Sequence, residues 1–137
     1  MKRVIIIAVL MLVTSQFYSQ ESYWQVAQRA RYYGDEWNDL LKLQKELKGE
    51  SLIKLYAYMY GYAFAAQFIC EGLRNVGMSE FAYSAKYFQE QVESYEAYFE
   101  KNKLWLEIYY GSYKRYYEAG QNRIIEQTRR YTAPDFR

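Results

Sequence analysis

Apolar residues recur at steps of three and four through most of the chain, the spacing that collects them on one face of an α-helix. The first such segment predicts a helix over 21–48, with its apolar face made by Tyr23, Ala27, Ala30, Tyr33, Trp37, Leu40, Leu41, Gln44 and Leu47. Gly34 and Asp35 are a potential break within it, since glycine weakens a helix and aspartate can cap a new one. We expect the helix to continue through both.

A second segment, 52–75, is apolar on nearly every side, which is typical of a helix at the centre of a bundle. Gly49 suits the position after a helix end, and Ser51 is a candidate N-cap. A membrane span is a weaker alternative for this segment, because charged residues interrupt it and it is shorter than about twenty apolar residues. A strip of small residues on this helix predicts close approach of another helix: Ala57, Gly61 and Ala65.

Two further helices are predicted beyond Gly77, which we expect to end the second helix. The third begins near a staple and cap formed by Met78, Ser79 and Tyr83. Its apolar seam is Phe81, Ala85, Phe88, Val92, Tyr95 and Phe99. The predicted inward face of the fourth helix is formed by Trp105, Ile108, Tyr109, Ser112, Tyr116 and Ala119. Gly120 and Asn122 are expected to end or kink it.

Four long helices joined by short loops predict an all-α fold, an up-and-down antiparallel bundle spanning residues 20–130. An open array of helical hairpins is the main alternative. The single proline, Pro134, lies almost at the end, so nothing before it forbids helix. Residues 131–137 are expected to form a flexible tail.

Residues 1–19 have the order of a secretory leader: Lys2 and Arg3, then an apolar run over 4–13, then a polar stretch. The leader resembles those of bacterial envelope and secreted proteins. Ten apolar residues rise only about 15 Å as a helix, which is half of a hydrocarbon core, so a cleaved signal peptide is favoured over an anchor. Cleavage is expected before Gln16 or Gln20. The mature protein is then periplasmic or secreted, without a membrane span.

The net charge of the chain limits the classes of partner that it can bind. Two of the 18 basic residues, Lys2 and Arg3, lie in the leader, so the rest of the chain carries 16 basic and 16 acidic residues. Because phosphate neutralisation needs an excess of cations, we expect no nucleic-acid partner.

The single cysteine, Cys70, cannot form an intrachain disulfide. Its apolar surroundings in sequence favour a buried thiol over an intermolecular disulfide.

The absence of histidine removes Ser-His and Cys-His catalysis and the usual zinc, copper and haem sites. An acidic run on the third helix, formed by Glu90, Glu93, Glu96 and Glu100, could serve a glycoside hydrolase or hold a divalent cation. The same spacing is typical of a solvated helix face, and we favour that interpretation. We therefore expect no catalytic residue, cofactor or metal site.

The composition is unusual in its tyrosine content, with 18 tyrosines in the chain. Core packing accounts for many of these rings, and those flanking the predicted core faces are expected to be exposed and to suit a binding surface. Its candidate residues, including arginines that can stack on aromatic rings, are Tyr58, Tyr110, Tyr113, Tyr117, Arg115 and Arg123. We expect a non-enzymatic protein that binds another macromolecule or itself through this face. The alternative is a binder of a lipid or aromatic small molecule in a pocket between helices.

Overall fold

The computed structural model describes residues 20–111 and 113–132, with only the backbone for 20–22, 110 and 128–132. Five α-helices and one 3-10 turn form this part of the chain: α1 Gln20–Leu43, α2 Glu50–Asn75, the turn Ser79–Phe81, α3 Ala82–Lys101, α4 Lys103–Tyr110 and α5 Tyr113–Thr132. No strand occurs in these ranges, so the all-helical prediction is confirmed. The predicted leader and residues 133–137 of the predicted tail lie outside the described residues.

Helix α2 lies at the centre and packs against α1, α3 and α5. Every residue from Met59 to Cys70 is buried, which confirms that an apolar pattern on all sides predicts a central helix. Within the described ranges, none of the helices has the continuous apolar length that crossing a bilayer requires.

Ring contacts show that α2 and α3 run antiparallel. Tyr56 packs on Tyr98 with ring centroids 4.8 Å apart, and one turn further along α2 Tyr60 stacks on Tyr95 at 6.3 Å. Successive residues of α2 therefore meet successively earlier residues of α3. The predicted seam of α3 faces this contact, since Ala85, Val92, Tyr95 and Phe99 are buried.

Helices α2 and α5 are parallel and in direct contact. The Tyr116 hydroxyl donates to Glu50 at 2.7 Å, and further along both helices the Gln121 amide donates to the Tyr60 hydroxyl at 2.9 Å. The contact is so close that a Cβ on Gly61 would overlap the Cβ and Cγ of Arg123. The prediction of close helix approach at the small-residue strip of α2 is confirmed.

Both ends of the first loop differ from the prediction. Helix α1 passes through Gly34 without a break, as expected, but ends at Leu43 instead of 48. Helix α2 begins at Glu50, so Ser51 lies inside the helix and the prediction that it is the N-cap was wrong. Gly49 occupies the N-cap position with a positive φ of 60°, which glycine adopts without strain and which redirects the chain without a side-chain cap.

Gly77 follows the end of α2, as predicted. Its φ of 101° allows two backbone bonds, from the Gly77 N–H to the Arg74 carbonyl and from the Met78 N–H to the Leu73 carbonyl, both 3.0 Å. These two bonds define a Schellman motif. The staple and cap predicted for the next helix are wrong, since α3 begins only at Ala82, after the 3-10 turn, and Tyr83 is exposed.

The predicted fourth helix is two helices, because Gly111 adopts a left-handed φ of 73° and ends α4. This break separates the helical register of α4 from that of α5. Tyr116 of α5 is buried as predicted, whereas Trp105, Ile108 and Tyr109 of α4 are exposed and Leu106 is buried in their place. The inward face predicted for 105–109 was therefore wrong. Ala119 is also exposed, and Ser112 lies outside the described residues.

Neither Gly120 nor Asn122 ends the last helix, so that part of the prediction was wrong. Gly120 is buried within α5, which continues to Thr132, two residues into the predicted tail. A Cβ on Gly120 would lie 3.6 Å from the carbonyl oxygen of Ala57, an ordinary contact distance. Gly120 therefore belongs to the contact between α5 and α2.

Cys70 is buried in the core, which confirms the prediction of a buried thiol. Burial, with a smaller contribution from Glu71, raises the pKa of the Cys70 thiol to about 12. We expect no reaction with a maleimide at pH 8 in the folded protein and complete reaction in denaturant, because only the thiolate of an accessible cysteine reacts. Labelling followed by mass spectrometry checks this, and full labelling of the folded protein would contradict the buried position.

Candidate functional site: the α2–α5 groove

A groove of about 340 Å³ opens to solvent between α2 and α5. Helix α2 contributes Lys54, Ala57 and Tyr58, and helix α5 contributes Arg115, Tyr116, Ala119, Asn122, Arg123 and Glu126. The steps of three and four between the α5 residues place them on one side of that helix. We call this feature the α2–α5 groove.

Arg123 is held against two tyrosine rings of α2. Its guanidinium lies 4.9 Å from the ring centroid of Tyr58 and 5.0 Å from that of Tyr62. It also donates to the Tyr62 hydroxyl at 2.6 Å and to the Glu126 carboxylate at 3.2 Å. Gly61 makes this arrangement possible, because the missing side chain leaves room for the stem of Arg123. The guanidinium is therefore fixed in place before any ligand arrives.

A cluster around Glu50 stands at the other end of the groove. The Glu50 carboxylate accepts from the Tyr116 hydroxyl at 2.7 Å and from Arg115 at 2.8 Å, and Lys54 lies 3.8 Å away. The Tyr116 hydrogen bond, helped by the charges of Lys54 and Arg115, lowers the pKa of Glu50. Burial and the bond to Glu50 raise the pKa of Tyr116. The cluster ties the start of α5 to the first turn of α2.

We expect Glu50→Gln to lower the melting temperature at neutral pH, because the carboxylate loses its charge-assisted bonds to Tyr116 and Arg115. Since the pKa of Glu50 is lower in the folded protein, its stabilisation is present above the ordinary value of 4.5 and is lost as pH falls through the folded value. The difference between wild type and Glu50→Gln should therefore close at acid pH. Thermal melts at a series of pH values check this, and a gap that persists below the folded pKa would contradict it.

The groove is cationic with an aromatic and apolar lining. Three of its lining residues, Lys54, Arg115 and Arg123, are basic and one, Glu126, is acidic. With Glu50, which pairs with Lys54 and Arg115 at the end of the groove, the site has three cations and two anions. The side chains of Lys54 and Arg115 are more than half exposed, and Tyr58 is 50% exposed. This combination suits carboxylates beside apolar groups, because guanidinium and ammonium groups bind carboxylates and tyrosine rings cover apolar surface.

The predicted site residues divide between two places. Tyr58, Arg115 and Arg123 come together in the α2–α5 groove. Tyr113 and Tyr117 stack on each other at 5.6 Å on another side of α5, where both are half-buried instead of exposed. The side chain of Tyr110 lies outside the described residues.

Contacts with α3 hold the second pair in place. The Tyr117 ring packs on Phe99 with centroids 6.3 Å apart, and the Tyr113 hydroxyl donates to Glu100 at 3.3 Å. Burial, with the nearby charge of Glu100, raises the pKa of Tyr113 to about 12. Tyr113 and Tyr117 therefore serve the packing of α5 on α3.

The site also contains charged and aromatic residues that were not predicted from the sequence to belong to it: Lys54, Glu50, Tyr62, Tyr116 and Glu126. The spacing of Tyr58 and Tyr62, one turn apart on either side of Gly61, was an available signal for a ring pair with room beside it. The roles of Glu50 and Glu126 depend on the parallel register of α2 and α5, which helical periodicity does not contain.

The acidic run of the third helix lies away from the groove on α3. Glu90, Glu93 and Glu100 are exposed there and Glu96 is half-buried. Among residues 20–111 and 113–132, no group of three or more carboxylate or cysteine side chains is placed to hold a metal ion.

Comparisons of the chain with protein-family models, with curated proteins and with solved structures found no match.

Proposed function

We propose that the protein is a non-enzymatic exported binding protein that holds an acidic segment of another protein in the α2–α5 groove, with an up-and-down bundle as scaffold. The observation that carries the proposal is the half-exposed Tyr58 ring beside the fixed guanidinium of Arg123, in a groove with more cations than anions. Tyrosine and arginine are enriched among the residues that dominate protein interfaces. The expected localisation is periplasmic or extracellular.

The length of the groove favours a chain segment. Its lining on α5 runs from Arg115 to Glu126, which corresponds to about 16 Å along a helix. An extended peptide covers that distance with about five residues. Because the groove is open along its side, a segment can enter laterally without threading.

Each part of the groove has a task in this proposal. Lys54 and Arg115 both contact Glu50, and their side chains are more than half exposed, so they can also bind carboxylates of the segment at the solvent edge. The ring of Tyr58 and the alanine floor contact its apolar atoms. Arg123 is already ordered by Tyr62 and Glu126, so binding costs little side-chain entropy there.

The double variant Lys54→Ala/Arg115→Ala is expected to weaken the complex at least roughly tenfold, because it removes both accessible cations. The matched control is Lys45→Ala/Lys48→Ala, which removes two exposed cations outside the groove. Native mass spectrometry of each form, recovered from the cells that make the protein, measures the bound fraction. Equal loss from both variants, or loss from neither, would contradict the proposal. Thermal melts establish that both variants are folded.

A lipid or aromatic small molecule is the second candidate, favoured by the groove volume of about 340 Å³, which falls within the usual range of ligand sites. In that case the native spectrum shows an added mass too small for a protein. Ala119→Trp, which fills the groove from its exposed side, would remove that mass. A small bound mass that survives Ala119→Trp would contradict this second candidate.

A further inference from the structure

Helix α4 exposes four large apolar side chains on one side. Leu104 is 73% exposed, Trp105 42%, Ile108 69% and Tyr109 67%. At 100° per residue they fall within an arc of about 140°. We call these four residues the α4 apolar face. Leu106, which points to the core, is fully buried and anchors the helix.

Hydrogen bonds fasten both ends of α4. At the start of the helix, the Asn102 side chain donates to the Tyr98 carbonyl at 2.8 Å. At its end, the Gly111 N–H donates to the Glu107 carbonyl at 3.1 Å. The Glu107 carboxylate in turn accepts from the Tyr113 N–H at 2.7 Å, which caps the beginning of α5. A face fixed at both ends loses little entropy on association.

We propose that the α4 apolar face binds the same face of a second copy, forming a dimer with two-fold symmetry. A two-fold axis places a surface against itself, so any net charge on it would meet its own sign. The α4 apolar face carries no charged residue, and Lys103 and Glu107 balance each other on the rest of the helix. The α2–α5 groove has an excess of cations and would repel itself. The two surfaces therefore suit different occupants, and this proposal does not rest on the function of the groove.

The size of the α4 apolar face is consistent with a dimer interface. The exposed parts of the four side chains amount to about 500 Å², against about 800 Å² per partner in an interface of standard size. The polar residues around the face supply the remainder as a rim. A membrane surface is less suited, because the chain beyond the leader has equal numbers of basic and acidic residues and α4 itself is neutral, so anionic lipid has no excess of cations to attract.

The test is sedimentation of the full chain over a range of concentrations, comparing wild type with Leu104→Lys/Ile108→Lys. The control, Trp24→Lys/Tyr83→Lys, adds the same charge at exposed apolar positions on α1 and α3. We expect wild type and control to dimerise alike and the α4 variant to dissociate at least roughly tenfold more readily. A monomeric wild type, or a dimer that the α4 variant retains, would overturn the proposal. So would a monomer that floats with anionic lipid vesicles only when the α4 apolar face is intact.

A second variant does not depend on weakening the dimer. Ile108→Cys is expected to form an intermolecular disulfide under mild oxidation, because a two-fold axis brings the two copies of this face together. Cys70 does not interfere, since it is buried. Tyr83→Cys is the matched control at an exposed position on α3. Equal crosslinking of the two variants would overturn the proposal.

Discussion

Trp37→Ala is expected to lower the free energy of unfolding by about 3–5 kcal/mol, as for other large aromatic side chains removed from a core. The Trp37 ring is buried and packs edge-to-face on Tyr87 and Phe88, with centroids 5.8 and 5.6 Å away. Its indole N–H donates to the Tyr95 hydroxyl at 2.9 Å. The substitution leaves a cavity between α1 and α3 and removes the hydrogen bond of a buried hydroxyl. Urea unfolding followed by circular dichroism measures the change.

Two further variants show how much of the loss comes from the buried ring volume and how much from the hydrogen bond. Trp37→Phe keeps most of the ring volume and should cost less than alanine, with the loss of the Tyr95 hydrogen bond as its main term. Trp24→Ala removes a ring that is largely exposed and should change stability by less than about 0.5 kcal/mol. Similar losses for Trp37→Ala and Trp24→Ala would contradict the buried position of Trp37.

Gly61→Ala is expected to destabilise the protein by about 1–3 kcal/mol, the usual cost of overpacking. A methyl group at this position would overlap the Cβ and Cγ of Arg123 and lie 3.2 Å from its backbone carbon. Neither the stem nor the backbone of Arg123 can swing away as the end of a flexible side chain could. Helix α5 must therefore move from α2, which also disturbs the contact of Arg123 with Tyr58.

Gly34→Ala is the matched control for Gly61→Ala, since both glycines lie inside long helices. A Cβ on Gly34 would meet Phe88 at 3.5 Å, an ordinary contact. We expect this variant to stabilise the protein by about 0.5–1 kcal/mol, because alanine has the higher helix propensity. Opposite signs for the same chemical change test the packing of α5 on α2. A stabilising Gly61→Ala would contradict the close approach at that point.

The sequence predicted burial correctly where the pattern of residues within one continuous helix determines which of its faces are buried. The apolar residues on every side of 52–75 predicted the central helix, and the small residues around Gly61 predicted close approach. The pattern was misleading around Gly111, because one residue with φ of 73° ends α4 and resets the helical register. Periodicity counted across such a break assigns the wrong inward face, as it did for Trp105.

Three of the predicted residues line the α2–α5 groove. Tyr58, Arg115 and Arg123 flank the apolar stripes of their helices, so periodicity predicts that they border the core. Which neighbour they meet depends on the parallel contact of α2 and α5, which lies between helices distant in sequence. For that reason Tyr117, also at the edge of a stripe, packs on Phe99 of α3 instead of joining the groove.

The most direct test of the α2–α5 groove is photocrosslinking in the cells that make the protein, with benzoylphenylalanine at Asn122. This residue is exposed and lines the groove, whereas the control position, Glu93, is exposed on α3. We predict one discrete crosslinked protein from position 122, lost in the Lys54→Ala/Arg115→Ala background and not formed from position 93. No product from position 122, or the same product from both positions, would contradict the account.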